Sequence, residues 1–299
     1  MYNPTIKQLK YLVSVAQNLH FGKAAQECFV SQSTLSSGIQ ELEKLLNIKL
    51  IERTKRRVLL TPIGKQIAIN SEKVILEVND ILDYAKSAQD VLSCEMKLGI
   101  IPTIAPYILP RLMPRLRTKY PKLDLKLVED QTANILRMLY QGNLDIIIIA
   151  KPYKVENLNV NSLKKDHFYA AVPEKSPLCH LKKKSLNSKD IISTNMLLLD
   201  EGHCLRDHAL AACGVKAKEN VDAFKATSLL TLVQMVANGS GITLLPELVI
   251  NSELMKNSKI KILKYEDTKN FREIVICWRL ASPRSNDFNE LMKFFKKYI

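Results

Sequence analysis

Apolar residues in the first 46 positions recur at intervals of three and four, the spacing of one helical face, and predict three short helices. A tight turn separates the second helix from the third, and Ser31 is suited to cap a helix that starts at Gln32. Two helices joined by a tight turn form a helix-turn-helix. The three apolar faces consist of Ile6, Leu9, Leu12, Val13 and Ala16, then Phe21, Ala24, Ala25 and Cys28, then Leu35, Ile39, Leu42, Leu45 and Leu46.

Residues 49–61 have the pattern of a strand, a basic turn and a second strand. The turn holds Lys55, Arg56 and Arg57, and the apolar residues 58–60 follow it. This pattern predicts a wing beside the three helices. Thr61 and Pro62 then suit the cap and the first position of a fourth helix.

This fourth helix is predicted to continue to about residue 94, with neither Gly nor Pro from residue 67 onward. Its apolar and small residues repeat every 3.5 positions, and the opposite face is charged, as in a coiled coil. We expect a dimerisation helix with Val74, Val78, Ile81 and Ala85 in the seam. The alternative is a lone amphipathic helix packed on its own domain. The full repeat is Ile67, Ser71, Val74, Val78, Ile81, Ala85, Ala88 and Leu92.

From residue 96 onward, strand-like runs alternate with helical ones, which indicates α/β structure with a mostly parallel sheet. The length favours two α/β lobes, which we place at 96–165 with 268–299, and at 166–267. The predicted fold class is α/β multidomain, with a winged helix-turn-helix at 1–61, a linker helix at 62–95 and a two-lobed α/β domain at 96–299. The predicted strands are 98–101, 123–128, 144–150, 168–172, 196–199, 242–245 and 274–278.

Composition narrows the possible classes of protein. The chain has 299 residues, 46% hydrophobic and 25% charged, and its longest apolar run, 146–150, is far shorter than the roughly 20 residues of a membrane-spanning helix. The N-terminal residues lack the pattern of a secretory signal, so we expect a cytoplasmic protein. Six cysteines in a reducing compartment do not predict a structural disulfide framework, and a pair that oxidises there is more typical of catalysis or sensing.

The net charge of +14 is uneven along the chain. Residues 1–61 hold nine Lys or Arg against four acids, residues 62–95 hold three against six, and residues 96–299 hold thirty-two against twenty. The basic N-terminal segment suits a phosphate backbone. The scattered lysines of the C-terminal segment are interpreted as a solvated face.

The N-terminal motifs resemble those of LysR-type transcriptional regulators over about sixty residues. The matching segments are LKYLV at 9–13, VSQSTLS at 30–36, IQELE at 39–43, LIERT at 50–54 and LTPIG at 60–64. Ser33 stands where that family usually has proline, and Gly38 is unusual inside the third helix. We interpret both departures as small gains in freedom at the helix start.

This resemblance implies binding of double-stranded promoter DNA by the third helix and the wing. Short polar side chains on the first turns of a recognition helix meet base edges, and basic wing residues meet phosphates. The alternative is that residues 31–37 only begin a capped surface helix and do not contact DNA. The expected base contacts are Gln32, Ser33, Thr34, Ser36 and Ser37, and the expected contacts from the wing are Arg53, Lys55, Arg56 and Arg57.

A second resemblance, to the peroxide-responsive members of that family, lies in LDEGHCLRD at 199–207 followed by Cys213. Supporting segments are GIIPTIAPY at 99–107, FKATSL at 224–229 and NGSGITLLP at 238–246. From the residues alone, His203, Arg206 and a helix start are neighbours that would lower the pKa of the Cys204 thiol. The resemblance implies that peroxide attacks Cys204 and that Cys213 then forms a reversible disulfide with it.

The resemblance also implies a set of peroxide-binding residues. They are Thr103, Thr132, His203, Asp207 and Arg272. Helix capping is the alternative role for both threonines, and a purely structural hydrogen bond is the alternative for His203. If 204–213 is helical, its two cysteines face opposite sides and lie roughly 13 Å apart along the axis, so a disulfide requires local unwinding.

The implied function is a cytoplasmic, peroxide-sensing regulator of oxidative-stress defence genes that acts as activator or repressor. Its two-lobed domain at 96–299 resembles periplasmic binding proteins. The expected partners are promoter DNA, hydrogen peroxide, RNA polymerase and a thioredoxin- or glutaredoxin-type reductant. The chain would also bind further copies of itself in a homodimer or homotetramer. No cofactor is expected. The spacing of His203, Cys204, His208 and Cys213 does not suit zinc, which disfavours a zinc sensor. The rivals are a LysR-type regulator of a small organic ligand and a thiol peroxidase.

Overall fold

The protein is described by a computed structural model covering residues 3–53, 58–87, 90–153, 155–180, 185–192, 194–214, 225–256, 258–266 and 271–299. The chain divides into two compact units, Met1–Lys86 and Ser87–Ile299. Residues 62–86 of the predicted linker helix therefore fall within the first unit, and residues 87–95 fall within the second.

The first unit is a winged helix-turn-helix followed by a long helix, which confirms the predicted element order. Thr5, His20 and Ser31 cap its first three helices through side chains that accept from backbone N–H groups. Thr61 caps the fourth, accepting from Gly64 N at 2.9 Å. The elements are α1 (Ile6–Asn18), α2 (Phe21–Glu27), α3 (Gln32–Leu46), the antiparallel strands β1 (Ile51–Arg53) and β2 (Val58–Leu60), and α4 (Pro62–Ser87).

A buried carboxylate fixes the wing to α3. Glu43 is 7% exposed and accepts from the backbone N–H groups of Leu50 at 2.9 Å and Ile51 at 3.2 Å, with Lys49 Nζ at 3.1 Å. Burial acts to raise the pKa of this carboxyl, but the three donors outweigh it and leave the pKa lowered. The start of the wing is thereby held against the recognition helix.

Gly38 has a packing role that the sequence interpretation missed. A Cβ at this position of α3 would lie 2.7 and 2.9 Å from two carbons of the buried Tyr11 ring. The glycine therefore allows α1 to approach α3 closely, and it is not a source of freedom at the helix start.

Helix α4 is shorter than predicted, and its repeat is divided between two environments. Ile67 packs against the winged-helix core and Ser71 is 3% exposed, whereas Val74 and Ile81 are 42% and 66% exposed. The expected continuation to residue 94 is wrong. Leu92 has a φ of +55°, is buried in the second unit and donates its N–H to Asp287 Oδ1 at 2.9 Å. Ala88 lies outside the described residues.

The second unit contains ten further strands and seven further helices among the residues described. In chain order these are β3 (Glu95–Ile100), α5 (Ala105–Lys119), β4 (Asp124–Glu129), α6 (Thr132–Tyr140), β5 (Ile146–Lys151), β6 (Leu158–Pro173), β7 (Ser185–Leu186), α7 (Ser188–Ile192), β8 (Leu198–Leu199), α8 (Cys204–Cys213), β9 (Lys225–Ala226), α9 (Leu229–Ala237), β10 (Thr243–Pro246), α10 (Glu247–Ile250), β11 (Ile260–Tyr265), β12 (Phe271–Arg279) and α11 (Ser285–Tyr298).

The main sheet is mixed, so the expectation of a mostly parallel sheet is wrong. Its order is β4-β3-β5-β12-β6-β11-β7, with β10 also paired to β6. Strand β3 runs parallel to β4 and β5, but β12 is antiparallel to β5 and β6, and β10 and β11 are antiparallel to β6. Strand β11 was not predicted because lysines interrupt its apolar residues. The short pair β8 and β9 is parallel.

Two separate hydrophobic cores lie along this unit. The first core is packed by β3, β5, β12, α5, α6 and α11, and the second by β8, β10, α8 and α9. Strand β6 contributes to both, with Leu163 in the first core and Phe168 in the second. The two cores thus form two lobes that share their longest strand.

Candidate functional site

The candidate redox site lies where α8 begins. Gly202 precedes it with a φ of +93°, and a Cβ there would lie 2.5 to 2.9 Å from the side chain of Gln131. The left-handed backbone favours glycine here, and the absence of a Cβ leaves room for the Gln131 amide to approach closely. This contact brings the loop before α6 against the loop before Cys204.

A fully buried arginine organises the site. Arg272 on β12 has no exposed surface and donates from Nε to Asp166 Oδ2 at 2.9 Å. Its two terminal nitrogens donate to Thr103, one to Oγ1 and one to the carbonyl oxygen, each at 2.9 Å. Asp166 also accepts from Leu248 N at 3.0 Å. The charge of Arg272 is thus paired, and the guanidinium is fixed in one orientation.

The electrostatics of Cys204 differ from the expectation. The thiol is 8% exposed, and burial raises its pKa. The charge of Arg272 and the Thr132 hydroxyl oppose this rise, whereas Asp207 adds to it. The prediction that His203 and Arg206 lower the pKa is wrong, because Arg206 Nη1 instead donates to the carbonyl of Leu199 at 3.2 Å.

The two threonines come from neighbouring parallel strands. Thr103 follows β3 and Thr132 follows β4, so both lie at the carboxyl edge of the sheet. Neither caps a helix, since the cap residues of α5 and α6 are Ile104 and Gln131 without side-chain cap bonds. The Thr132 Oγ1 is buried and has no hydrogen-bond partner of ordinary geometry among the described residues. Its effect on the pKa of the Cys204 thiol places this hydroxyl beside Cys204.

A cavity of about 670 Å³ opens beside this cluster. Thr103 and His203 line it together with Tyr107, whose pKa burial raises to about 12. His203 is half-buried and precedes α8 without capping it through its side chain. Asp207 is exposed in the first turn of α8. Of the predicted peroxide residues, Thr132 and Arg272 act on the Cys204 thiol, and Thr103 accepts hydrogen bonds from Arg272. His203 lies at the cavity wall with Thr103, and Asp207 does not line the cavity.

The predicted partner, Cys213, lies at the other end of α8. The helix spans 204–213, which confirms the helical expectation, and nine residues correspond to roughly 13 Å along its axis. Cys204 belongs to the first hydrophobic core and Cys213 to the second. Neither cysteine forms a disulfide in this structure. The two sulfurs therefore cannot bond while α8 is intact.

Two buried polar residues of this region were not assigned a role from the sequence. Asp166 sits in β6 without a motif, and its partner is 106 positions away. His208 is 4% exposed, and neither ring nitrogen has a hydrogen bond of ordinary geometry. Burial, and then Arg272, lower the pKa of His208 to about 4, while the backbone of Pro152 acts weakly against them. Only a tertiary contact identifies either residue.

The remaining cysteines have different surroundings. Cys277 is fully buried on β12, and burial raises its pKa to about 12. Burial also raises the pKa of Cys28. Cys94 has a cationic neighbour that the sequence did not indicate, since Arg284 Nη2 donates to its sulfur at 3.1 Å. Cys179 is half-buried and donates to the carbonyl of Pro173 at 3.4 Å.

The predicted DNA-reading residues lie at the start of α3. Gln32, Ser33, Thr34 and Ser37 are exposed, and Ser36 is half-buried. The Ser31 hydroxyl holds the turn together, lying 2.8 Å from those of Ser33 and Thr34. The side chain of Arg53, and the whole of Lys55, Arg56 and Arg57, lie outside the described residues.

The described residues contain neither a metal-binding cluster nor a membrane-spanning helix. No group of three or more His, Cys, Asp or Glu side chains in the described ranges is arranged to hold a metal ion. In the same part of the chain, every helix is too short or too polar to cross a membrane.

Comparison with known proteins assigns both units. Residues 6–65 match the bacterial regulatory helix-turn-helix proteins of the lysR family, and residues 89–299 match the LysR substrate binding domain. The chain belongs to the LysR family of transcriptional regulators. LysR proteins regulate transcription and are not enzymes, so the thiol peroxidase rival is excluded, and the helix-turn-helix binds DNA.

Three relatives of this LysR-family regulator are informative. It is 37% identical to the HTH-type transcriptional regulator EstR of Acinetobacter baylyi, over 98% of this chain and 97% of EstR. It is similar to the solved full-length OxyR variant from Pseudomonas aeruginosa, with a TM-score of 0.76, 33% identity and coverage of 99% and 96%. It also resembles an H2O2-bound OxyR mutant from Corynebacterium glutamicum, with a TM-score of 0.66, 30% identity and coverage of 99% and 93%. It is an OxyR-like regulator.

Proposed function

We propose that this LysR-family regulator senses hydrogen peroxide through Cys204 and reports it by a disulfide with Cys213. The observation that carries the proposal is that the Thr132 hydroxyl and the Arg272 guanidinium both act on the Cys204 thiol, while Thr103 accepts hydrogen bonds from the same guanidinium. Hydroxyl groups both donate and accept hydrogen bonds, as hydrogen peroxide does. The H2O2-bound OxyR relative supports this choice of ligand.

The first step makes a sulfenic acid. The Cys204 thiolate attacks one peroxide oxygen, the O–O bond breaks, and the hydroxide that leaves takes up the thiol proton to become water. Arg272 favours the thiolate and the negative charge that develops on the leaving oxygen. Thr103 and Thr132 would orient the peroxide, with His203 at the cavity wall and Asp207 in the first turn of α8.

The second step requires α8 to unwind. The Cys213 thiolate attacks the sulfur of the Cys204 sulfenic acid, an S–S bond forms and hydroxide leaves as water. Cys213 must leave the second core and Cys204 the first, because an intact α8 holds them roughly 13 Å apart along its axis. A dithiol reductant of the thioredoxin or glutaredoxin type would restore both thiols.

The signal would pass to DNA through paired chains. The exposed Val74 and Ile81, with Val78 and Ala85 on the same stripe of α4, form the proposed seam of a homodimer. A homotetramer of such dimers would bind promoter DNA in the cytoplasm, change its contact with RNA polymerase and control oxidative-stress defence genes.

A small organic ligand is the second candidate signal. The cavity of about 670 Å³ falls within the usual size of small-molecule sites, and its walls carry Tyr107 and Leu199 beside the polar Thr103. The name of the EstR relative does not mention peroxide. This ligand would act without oxidation of Cys204.

Disulfide mapping after stoichiometric peroxide tests the proposal. We expect wild type to lose the mass of two hydrogen atoms and to yield a peptide pair joined through Cys204 and Cys213. Cys213→Ser should retain a sulfenic acid that dimedone traps on Cys204. Cys94→Ser is the matched control, since Cys94 also contacts an arginine. The same bridge should form in this control. Equal transcriptional responses to peroxide in wild type and Cys204→Ser would contradict the proposal and favour the small ligand.

A further inference from the structure

The turn of the helix-turn-helix carries an unusual residue. Phe29 lies between α2 and α3, has a φ of +54° and exposes 95% of its surface. A left-handed backbone at a bulky residue costs about 1 kcal/mol or more, and glycine would adopt it without that cost. An almost fully exposed phenyl ring also keeps its apolar surface in water. The residue therefore contributes little to the turn or to the core.

The backbone of the turn explains the conformation but not the side chain. Phe29 N donates to the carbonyl of Gln26 at 3.1 Å, and Val30 N donates to that of Ala25 at 3.0 Å. These two bonds end α2 and direct Val30 into the winged-helix core. Phe29, the left-handed residue at this point, has its side chain in solvent. The side chain is therefore available to contact a partner.

The position of Phe29 indicates its partner. It stands two residues before Ser31, which caps α3, and so adjoins the exposed polar turn of Gln32, Ser33 and Thr34. The surrounding segment 1–61 is basic, with nine Lys or Arg against four acids. The ring is thus continuous with the DNA-binding surface of a helix-turn-helix, whose charge complements DNA.

We propose that Phe29 is an apolar DNA contact at the edge of the major groove, beside the base-reading turn of α3. The DNA offers two apolar surfaces there, the C–H groups of deoxyribose and the 5-methyl group of thymine. The contact adds affinity without charge. It concerns DNA binding alone and does not depend on whether peroxide is the signal.

Binding of the full-length reduced protein to a duplex that wild type selects from a randomised pool tests this contact. Phe29→Ala and Phe29→Gly should each weaken binding about tenfold, the loss expected when an apolar ring no longer leaves water. The slope of log affinity against log salt should stay that of wild type, because no phosphate contact is lost. Phe29→Leu should recover part of the affinity.

The matched control is Leu19, which also has a left-handed backbone, with φ +48°, and is 49% exposed at the end of α1. Leu19→Ala should bind as wild type does. Phe29→Gly guards against misfolding, since glycine suits the left-handed turn. A duplex with deoxyuridine in place of thymidine separates the two DNA surfaces. If wild type loses as much affinity on the deoxyuridine duplex as Phe29→Ala loses on the original duplex, Phe29 contacts the thymine methyl group. If wild type loses no affinity on the deoxyuridine duplex, Phe29 contacts deoxyribose.

Two results would overturn the proposal. One is binding by Phe29→Gly within twofold of wild type. The other is a changed sedimentation coefficient of Phe29→Ala without DNA, which would make Phe29 a contact between protein chains. Failure of wild type to select any duplex would instead contradict DNA binding as a whole.

Discussion

Cys204 and Cys213 begin and end the same helix, α8, yet each is buried in a different hydrophobic core. A disulfide tolerates a Cα separation of only about 4.4 to 6.8 Å, whereas nine helical residues extend roughly 13 Å. Bond formation must therefore unwind α8 and withdraw both side chains from their lobes. This incompatibility would convert a local oxidation into a change of conformation.

Oxidation should abolish the hydrogen-exchange protection of residues 205–213. In reduced protein these amides are expected to exchange slowly, because they are helical and mostly buried. Peroxide-treated wild type should exchange them as an unprotected loop does. Peroxide-treated Cys213→Ser, which cannot close the bridge, serves as control and should keep the protection. Slow exchange in a protein whose disulfide is confirmed by mass would contradict the unwinding.

Separating the Arg272 and Asp166 charges should cost stability. Asp166→Asn leaves a fully buried guanidinium without its carboxylate, and we expect a loss of about 3 kcal/mol or more in the free energy of unfolding. The double variant Arg272→Met with Asp166→Leu should recover most of that loss, because neither charge remains.

Although its stability is recovered, the Arg272→Met and Asp166→Leu double variant should react with peroxide more slowly than wild type does. Without Arg272 the Cys204 thiolate loses the cation that lowers its pKa, so the rate should rise with pH over a higher range than in wild type. Stopped-flow kinetics across pH would measure the shift. A pH profile that coincides with that of wild type would show that Arg272 is only structural.

His208 should make the protein less stable in mild acid. The ordinary pKa of histidine is about 6.5, and in the folded protein that of His208 is about 4. Between these values the unfolded chain binds a proton that the folded chain does not, so stability is complete above about 6.5 and is lost as pH falls towards 4. The loss should reach up to about 3 kcal/mol.

His208→Leu removes this titration while keeping the site apolar. Chemical denaturation at pH 7 and pH 5 should show a smaller loss of stability for the variant than for wild type. Because the carboxylates titrate equally in both proteins, the difference between the two curves isolates His208. Parallel curves would place the imidazole in contact with water.

Gly38→Ala should destabilise the winged helix, although alanine is normally the better helix former. The new Cβ would lie 2.7 Å from a carbon of the Tyr11 ring, so α1 must shift. We expect a loss of about 1 to 3 kcal/mol instead of a gain of about 1 kcal/mol. Thermal unfolding followed by circular dichroism measures it, and adding Tyr11→Leu should restore part of the stability. A raised midpoint in Gly38→Ala would contradict the close approach of the helices.

Ile81→Glu should weaken the proposed dimer. Ile81 is 66% exposed, and a carboxylate placed in an apolar seam would lose its hydration. A cost of at least about 2 kcal/mol corresponds to a dissociation constant raised roughly 30-fold or more. Lys73→Glu, on the outer face of α4, is the control for added charge. Sedimentation of Ile81→Glu as wild type would remove this stripe from the interface.

The sequence by itself determined the local features of this protein. Spacing, caps and a proline at a helix start predicted α1 to α4, because such signals act within a few residues of one another. The motifs near Ser31 and Cys204 indicated the family, because each motif lies within one short continuous segment of the chain. The sequence also showed that, if 204–213 is helical, its two cysteines are too far apart for a disulfide, and the structure has this segment as a helix.

Only the tertiary structure decided what depends on residues far apart in the chain. The antiparallel pairing of β12 with β6 and the bond from Arg272 to Asp166 join segments that no local pattern links. The pKa of the Cys204 thiol follows from burial and from Arg272, and neither is visible beside it in the sequence. The end of α4 was likewise set by the burial of Leu92. These long-range interactions arise only when the folded chain excludes water and brings distant charges together.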